Sequence, residues 1–407
     1  MTNSLRAGAC LAPLLAAIAL PGAAATMSSF LTSDQGKDQI LLSRDLNGDG
    51  DANDPGETTV FFDSANGSGL ASPAGNVFAL SQTSTGHVMI GDGSTDTVYR
   101  LRDEDRDGTA QGAGEAQVWF SGAANAGGFK LNTPNGIAEG PDGAIYVVEA
   151  DTSGTPTGDW VYRTQDLNGD GDANDVGEAT QWLNLKAINP SSSPFEIRFD
   201  GNDAYVMDTA GGTPDVIYKA RDADGDGLIG AGEVTTFASE ASGLSARFDF
   251  AMDVGLGSVW TWQWLPEGGL SSVFRLTDLD GSGQIDSADE SVEVWNTSFL
   301  DAAFTFLAGF GLDLNEDTGE LLITSNDGSA TGNWIMRLLD LDGDGAFWGA
   351  DESQIVLSLG AQGTYPDRAR NVAFYVAPVP LPAALPLLLA GLGGLAAIGR
   401  RRNRRNL

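Results

Sequence analysis

The chain holds one cysteine, Cys10, and one histidine, His87, among 407 residues. A disulfide framework and a cysteine-rich zinc site are thereby excluded. A histidine-based metal centre or a Ser-His-Asp triad is equally short of parts. Positive charge is scarce as well: 22 Lys and Arg stand against 56 Asp and Glu, a formal net charge of −34. The two ends hide how scarce it is. Residues 1–25 and 379–407 contain no acid but hold Arg6, Arg400, Arg401, Arg402, Arg404 and Arg405, so the body carries only 16 bases against all 56 acids. Such a surface repels nucleic acid, phosphate esters and anionic lipid, and attracts cations. With 42% apolar residues the chain can still bury a core, which sets it apart from disordered acidic sequences.

Long hydrophobic runs occur only at the ends. Arg6, the apolar stretch 7–20 and the small residues Ala23, Ala24 and Ala25 before Thr26 form the pattern of a secretory signal over residues 1–25, with a helical apolar segment. Cys10 lies inside that stretch rather than after it, which argues against a lipoprotein. At the other end, Val379, Pro380, Leu381, Pro382 and Ala383 open a run to Gly399 that precedes the arginine cluster. Residues 381–399 are long enough to cross the ~30 Å hydrocarbon core as a transmembrane helix, with the arginines on the cytoplasmic side. One reading is a simple membrane anchor. The other rests on resemblance: a short proline motif, one apolar helix and a terminal arginine cluster resemble the PEP-CTERM class of bacterial sorting tails in its VPLPA variant. That resemblance implies an exosortase as processing partner, removal of residues 379–407, and delivery to the cell surface or exopolysaccharide matrix of a Gram-negative bacterium. The Pro-Glu-Pro core of the class is absent.

Between the ends an acidic, glycine-bearing segment recurs six times, beginning at Asp45, Asp103, Asp166, Asp222, Asp278 and Asp340. Each is preceded by a β-branched or aromatic run, such as Val98-Tyr99-Arg100 or Ile217-Tyr218-Lys219, and followed by another, such as Val60-Phe61-Phe62 or Val234-Thr235-Thr236-Phe237. Two strands around one loop make a hairpin. A second hairpin lies upstream in each unit. Its turns are legible at Pro141-Asp142-Gly143, at Asp200-Gly201-Asn202-Asp203 and over residues 315–319. Four short strands in each of six repeats spell an all-β, six-bladed β-propeller over residues 27–378, a single domain. Stacking as a solenoid is the alternative. The propeller explains the ends better. Phe30-Leu31-Thr32-Ser33-Asp34 resembles the second strand of a unit, and Asn371-Val372-Ala373-Phe374 can supply the missing first strand, which closes the ring and removes open edges.

The acidic segments fall in the hairpins between the third and fourth strands. Asp222, Asp224, Asp226, Gly227 and Glu233 match the calcium-loop pattern in which oxygens at positions 1, 3 and 5 converge, glycine at 6 permits the bend and a carboxylate near 12 closes the shell. The other five are variants. Asp45, Asn47, Asp49 and Glu57, then Asp103, Asp105, Asp107 and Glu115, then Asp166, Asn168, Asp170 and Glu178, and Asp340, Asp342, Asp344 and Glu352 all carry Glu one place late, at 13; Asp351 stands at 12 in the last. The fifth has Asp278, Asp280, Asp289 and Glu290 but Ser282 at position 5, and is expected to be the weakest. These loops resemble those of EF-hands and dockerins, with strands in place of helices on either side, and the resemblance implies oxygen ligation of Ca²⁺ at up to six sites. Crowding carboxylates into one turn is unfavourable unless a cation sits among them, and Mg²⁺ is stricter in geometry.

Turns such as Gly140-Pro141-Asp142-Gly143 are similar to those of gluconolactonase and NHL-type propellers, some of which hold a catalytic metal in the central channel. Acids near the ends of the second strands, Asp34, Asp92, Glu149, Asp208 and Asp327, are the residues that such a hydrolase or lactonase would use here. Trp260, Trp262 and Trp264 alternate, as a sugar-stacking platform or as packing between blades. His87 is expected at the surface. The sequence as a whole is read as an exported calcium-binding propeller that acts as a binding or scaffold module, with polysaccharide as a candidate ligand. A metal-dependent hydrolase is the competing class.

Overall fold

The computed structural model describes residues 27–378 apart from 72, 74, 151–158, 210–213, 241–250, 264–269, 307, 327–328, 330, 350 and 359–367. The signal segment, the C-terminal tail, Asp327 and Trp264 therefore lie outside the described residues. Among those residues no helix is long and apolar enough to cross a membrane.

Six four-stranded antiparallel sheets account for nearly all the regular structure. In the first blade, β1 (Phe30–Asp34), β2 (Gln39–Ser43) and β3 (Thr58–Asp63) follow one another. The second blade has β4 (Val77–Gln82), β5 (Val88–Asp92), β6 (Thr97–Leu101) and β7 (Ala116–Ser121). The third has β8 (Pro134–Glu139), β9 (Ile145–Glu149), β10 (Trp160–Thr164) and β11 (Ala179–Asn184). The fourth has β12 (Pro194–Asp200), β13 (Asp203–Asp208), β14 (Val216–Ala220) and β15 (Val234–Ser239). The fifth has β16 (Ala251–Gly255), β17 (Ser258–Trp262), β18 (Ser272–Leu276) and β19 (Ser291–Asn296). The sixth has β20 (Leu312–Asn315), β21 (Glu320–Ser325), β22 (Trp334–Leu338) and β23 (Ser353–Ser358). The last strand, β24 (Ala369–Phe374), returns to pair with β1 and becomes the innermost strand of the first blade. The expected closure by the two ends is thus present.

Inner strands of successive blades lie side by side, β24 against β4, β4 against β8, β8 against β12, β12 against β16, β16 against β20 and β20 against β24. This is a six-bladed β-propeller. Second strands are buried along their whole length, which is why they read as continuous apolar runs rather than as alternation. The apolar core forms between blades. Six clusters occupy the six interfaces, for example Ile40 and Phe62 with Val77 and Ile90, or Trp262 and Trp295 with Ile323 and Trp334.

One irregularity recurs in every blade. The pairing of the third and fourth strands shifts register once, between Ile40 and Leu41, Val98 and Tyr99, Val161 and Tyr162, Ile217 and Tyr218, Val273 and Phe274, and Ile335 and Met336. The extra residue on the fourth strand is Phe61, Trp119, Trp182, Phe237, Val294 or Val356. All six are buried. A β-bulge leaves the extra residue outside the ladder and re-aims its backbone. Here the released carbonyl is not left open. The oxygens of Phe61, Trp119, Trp182, Phe237, Val294 and Val356 accept the N–H of Ala110, Ala173, Ile229, Ile285, Phe347 and Ala52, at 2.7 to 2.8 Å. Those donors all stand at position 8 of the acidic loop of the next blade, and their side chains are buried. Each acidic loop therefore clasps the bulge of the blade before it, and the clasp from Ala52 to Val356 joins the first blade to the sixth.

A position-8 side chain is thus an inter-blade anchor. Phe347→Ala is expected to lower unfolding free energy by about 3–5 kcal/mol. Val176→Ala, at a site 87% exposed, should change it by less than about 0.5 kcal/mol. Denaturant midpoints measured at constant m-value check both.

Candidate functional site

The six acidic loops share one backbone geometry built from staggered side-chain turns. In every loop an oxygen of the first Asp accepts the N–H of the position-6 glycine at 2.8 to 3.0 Å, as Asp45 does from Gly50 and Asp222 from Gly227. Position 3 accepts the N–H of position 5 at 2.8 to 3.1 Å. Position 5 accepts that of position 7 at 2.8 to 3.2 Å, and in the fifth loop the Ser282 hydroxyl fills this role. The position-6 glycines all have φ between 83° and 102°, a region where a β-carbon would be strained. Position 4 is also left-handed, and there the second loop places Arg106 at φ 65° where the others place glycine.

The glutamates do more than the loop pattern predicts. In each loop one Glu oxygen accepts the N–H of position 2, at 2.7 to 3.0 Å. The other accepts an N–H near position 10, at 2.6 to 3.1 Å. Glu57, Glu115, Glu178, Glu233, Glu290 and Glu352 therefore lace the two ends of the loop together. These hydrogen bonds favour the ionised form: the N–H groups of Gly230 and Ala223 hold Glu233 below its ordinary range, and that of Asp286 leads the same effect on Glu290. The late position of Glu57, Glu115 and Glu178 has a local cause. Gly56, Gly114 and Gly177, one place earlier, are left-handed and absorb the extra residue.

The loops differ in how completely they gather carboxylates. Oxygens of Asp49, Asp51 and Glu57, of Asp103, Asp105 and Glu115, of Asp222, Asp224 and Glu233, of Asp278, Asp280 and Glu290, and of Asp340, Asp342 and Asp344 each lie within 4.8 Å of one another. Oxygen-only donors at such separations fit Ca²⁺ or Mg²⁺ rather than a softer metal. Asp51, at position 7, was not among the residues expected from the pattern. Asp286 was also missed. Burial first, and then Asp280, Glu290 and Asp278, raise its pKa. Asp289 and Asp351 are exposed and belong to none of these groups. The third loop, with Asp166, Asn168, Asp170 and Glu178, makes the same turns but brings no three carboxylates together. There the Asn168 amide donates to Asp170 at 3.1 Å and Asp175 at 2.7 Å, as Asn47 donates to Asp49 and Asp54 in the first loop.

The acids at the ends of the second strands lie at the opposite end of the blades, where their carboxylates anchor backbone. Asp34 accepts the N–H of Gly36 and Arg368, Asp92 that of Ser94, Glu149 those of Asn132 and Thr133, and Asp208 that of Ser193. None of the groups of metal-spaced carboxylates among the described residues contains any of the four. Asp34, Glu149 and Asp208 fasten the segment that enters the inner strand, and Asp92 the turn that follows its own strand. Trp260 and Trp262 are buried between the fifth and sixth blades, against Phe347 and against Trp295 and Phe306, so they pack rather than present a platform. His87 is partly buried in the β4–β5 hairpin. Burial first, then Arg100 and Arg102, push its pKa down to about 4, and it stays neutral.

The inner strands carry a charge network that the sequence did not announce. Arg198 on β12 pairs with Glu196 of its own strand and, at 3.0 Å, with Asp253 on β16. Asp253 accepts the N–H of Leu314 on β20, and Asp313 on β20 accepts that of Phe374 on β24, both at 2.7 Å. The chain of contacts sews four blades together. One guanidinium faces three carboxylates, and burial raises the pKa of Asp253 and Asp313 and pushes that of Glu196 up to about 7. A carboxyl whose pKa is raised on folding stabilises the fold fully below its unfolded value, and loses that contribution as pH climbs through the folded value. The neutral variant Glu196→Gln lacks this loss. Its stability relative to the wild type is expected to rise between pH 4.5 and 7.5, by about 2 kcal/mol, in thermal melts taken across that range.

No family model matches the chain, and no curated protein sequence does. Solved structures that are similar to it include TolB from Acinetobacter baumannii, at 11% identity over 88% of this chain and 68% of that one with a TM-score of 0.48. Virginiamycin B lyase from Staphylococcus aureus is 16% identical over 77% of this chain and 81% of its own, with a TM-score of 0.42. The PQQ-bound aldose sugar dehydrogenase from Streptomyces coelicolor is 15% identical over 78% and 91%, with a TM-score of 0.47. These are likenesses of fold alone.

Proposed function

We propose that the chain is an exported calcium-binding propeller whose acidic loops, when loaded, lock each blade to the one before it, and that it serves as a binding or scaffold module of the cell surface or extracellular matrix. The observation that carries this reading is the double role of one twelve- to thirteen-residue loop. Its carboxylates gather in groups of three in five of the six repeats, and its position 8 clasps the bulge of the neighbouring blade in all six. An ion among Asp222, Asp224, Asp226 and Glu233, or their counterparts, would cancel the mutual repulsion of carboxylates and hold the clasp in shape. Ca²⁺ suits the loops because it accepts many oxygens in adaptable geometry. The remainder of the reading follows from the ends of the sequence: export by residues 1–25, transient membrane attachment through residues 381–399, and removal of the tail by an exosortase-type enzyme in a Gram-negative envelope. Polysaccharide is the proposed partner class, and the negative field sets nucleic acid aside.

Binding energy is folding energy where the unfolded chain lacks the site. At a concentration 100-fold above the dissociation constant, one ion adds about 2.7 kcal/mol. Stripping several loops with a chelator is therefore expected to lower the melting midpoint by roughly 10 °C or more, and Ca²⁺, more than Mg²⁺, should restore it. An unchanged midpoint, together with no Ca²⁺ uptake by the stripped protein in calorimetric titration, would overturn the proposal.

A further inference from the structure

The inner strands have bulges of their own. The pairing of β4 with β5, of β8 with β9 and of β12 with β13 shifts register around Phe78, Asn135 and Phe195, and that of β24 with β1 shifts across Arg370 and Asn371. Each shift falls near the start of an innermost strand, at the end of the blades away from the acidic loops. It frees a side chain from the regular alternation, and bulges of this kind are used to re-aim side chains beside binding sites.

Arg370 is the charged member of this layer. Its guanidinium lies 4.3 Å from the ring centre of Phe78 and 4.7 Å from that of Phe310. Phe78 is on β4, and Phe310 directly precedes Gly311 and β20, so the arginine is sandwiched between rings from the blades on either side of its own. Stacking covers both faces of the planar head and leaves its N–H edge. No carboxylate or carbonyl of the described residues takes a hydrogen bond from that edge. Burial lowers its pKa to about 10. Elsewhere two half-buried arginines have carboxylates, Arg198 with Glu196 and Asp253 and Arg163 with Asp142, whereas Arg100 and Arg275 each lie over a single ring, that of Trp119 or Trp260. A partly buried charge is unfavourable without a counter-charge, and no acid of the described residues pairs with this one. A second polar atom in the layer is also left over. Asn135 donates its amide to the carbonyl of Pro194 at 2.9 Å, while its Oδ1 is buried with no hydrogen-bond partner among the described residues.

We propose that Arg370, held between Phe78 and Phe310 at the inner edge of the propeller, is the anion-binding head of a channel site for an organic monocarboxylate with an apolar or aromatic body. The guanidinium edge would take the carboxylate in a paired hydrogen bond. The phenylalanine rings would receive the apolar body, and Asn135 Oδ1 a donor such as a hydroxyl where the ligand carries one. The class is narrowed by charge. A net charge of −34 opposes any free anion, and opposes a dianion more strongly than a monoanion. Attraction to one arginine is therefore insufficient by itself, and the ligand must also gain from leaving water at the rings. A carboxylate with an apolar body meets both conditions, and inorganic phosphate meets neither. This site lies at the other end of the blades from the calcium loops and does not depend on them.

The test is calorimetric titration of the full calcium-loaded chain with benzoate, its neutral isostere benzamide, and inorganic phosphate. Benzoate is expected to bind one to one, at least 10-fold more tightly than either of the others. Arg370→Gln is expected to weaken benzoate by at least 10-fold while leaving the chelator-induced fall in melting midpoint unchanged. Should that variant not fold, the wild type still decides: the Arg370 Nε–H resonance in a ¹⁵N-arginine spectrum should move with benzoate and not with benzamide. Absence of benzoate binding, equal binding of benzamide, unaltered binding in Arg370→Gln, or a resonance that ignores benzoate would each overturn the proposal. A lost chelator effect with benzoate binding intact would strike the calcium reading alone.

Discussion

The clasp between an acidic loop and the bulge of the preceding blade is the contact on which the rest of the structure depends. A propeller blade packs face to face on its neighbours through apolar side chains, a non-directional attraction that tolerates sliding. What fixes one blade against the next must be directional. Here it is a hydrogen bond of 2.7 to 2.8 Å from position 8 of each loop to a carbonyl that only a bulge could release. Both partners are buried, so leaving either unsatisfied would be costly. The bulge needs the loop and the loop needs the bulge. Beside the clasp, the side-chain oxygen of Asn53 accepts the N–H of Ser358 at 3.0 Å, which adds a second tie between the first and last blades.

This arrangement explains why so much negative charge is tolerated in turns. Each loop must travel outward from its own blade and return with its eighth residue aimed at the neighbour. Side-chain turns at positions 1, 3 and 5 impose that path by capturing backbone N–H groups, and Glu57 and its counterparts close the base. Short acceptor side chains are the residues that can make such turns. The same geometry leaves their outer oxygens facing one another, which is the donor set of a hard divalent cation. Structural turn and candidate metal cradle are one construction, and a cation held there would remove the repulsion that the construction creates.

The opposite end of the blades is organised by a different rule. There Asp34, Asp92, Glu149 and Asp208 are occupied by backbone N–H groups, and the inner strands are tied by Arg198 with Glu196, Asp253 and Asp313. Against this background Arg370 is held by two aromatic faces, and no acid of the described residues pairs with it. The body of the propeller thus separates two charge environments along its axis: acidic loops at one end and a stacked arginine at the other.

Much of this was legible in the residues themselves. The six-fold spacing of the acidic segments, the flanking β-branched runs and the half-unit at each end determined the number of blades and the closure by β24. These signals are local, because turn chemistry and strand alternation are set within a dozen residues. The buried residue at position 8, small in Ala52, Ala110 and Ala173 and large in Ile229, Ile285 and Phe347, was visible in the sequence, as was the pair of adjacent bulky residues in five of the six fourth strands, such as Phe61 and Phe62. Neither pattern could declare that one clasps the other, since the partners belong to different repeats and meet only when the ring is closed. The same holds for the glutamates. Their spacing marked them as ligands, but their backbone partners depend on the exact path of the loop. Arg370 is the extreme case. Nothing near it in the chain distinguishes it from a surface arginine, and only the approach of Phe78 and Phe310 from two other blades stacks rings on both faces of its head. Composition and periodicity determined the ring and its acidic bends, whereas the contacts between sectors, which require distant segments to share one dry space, were decided by the tertiary structure.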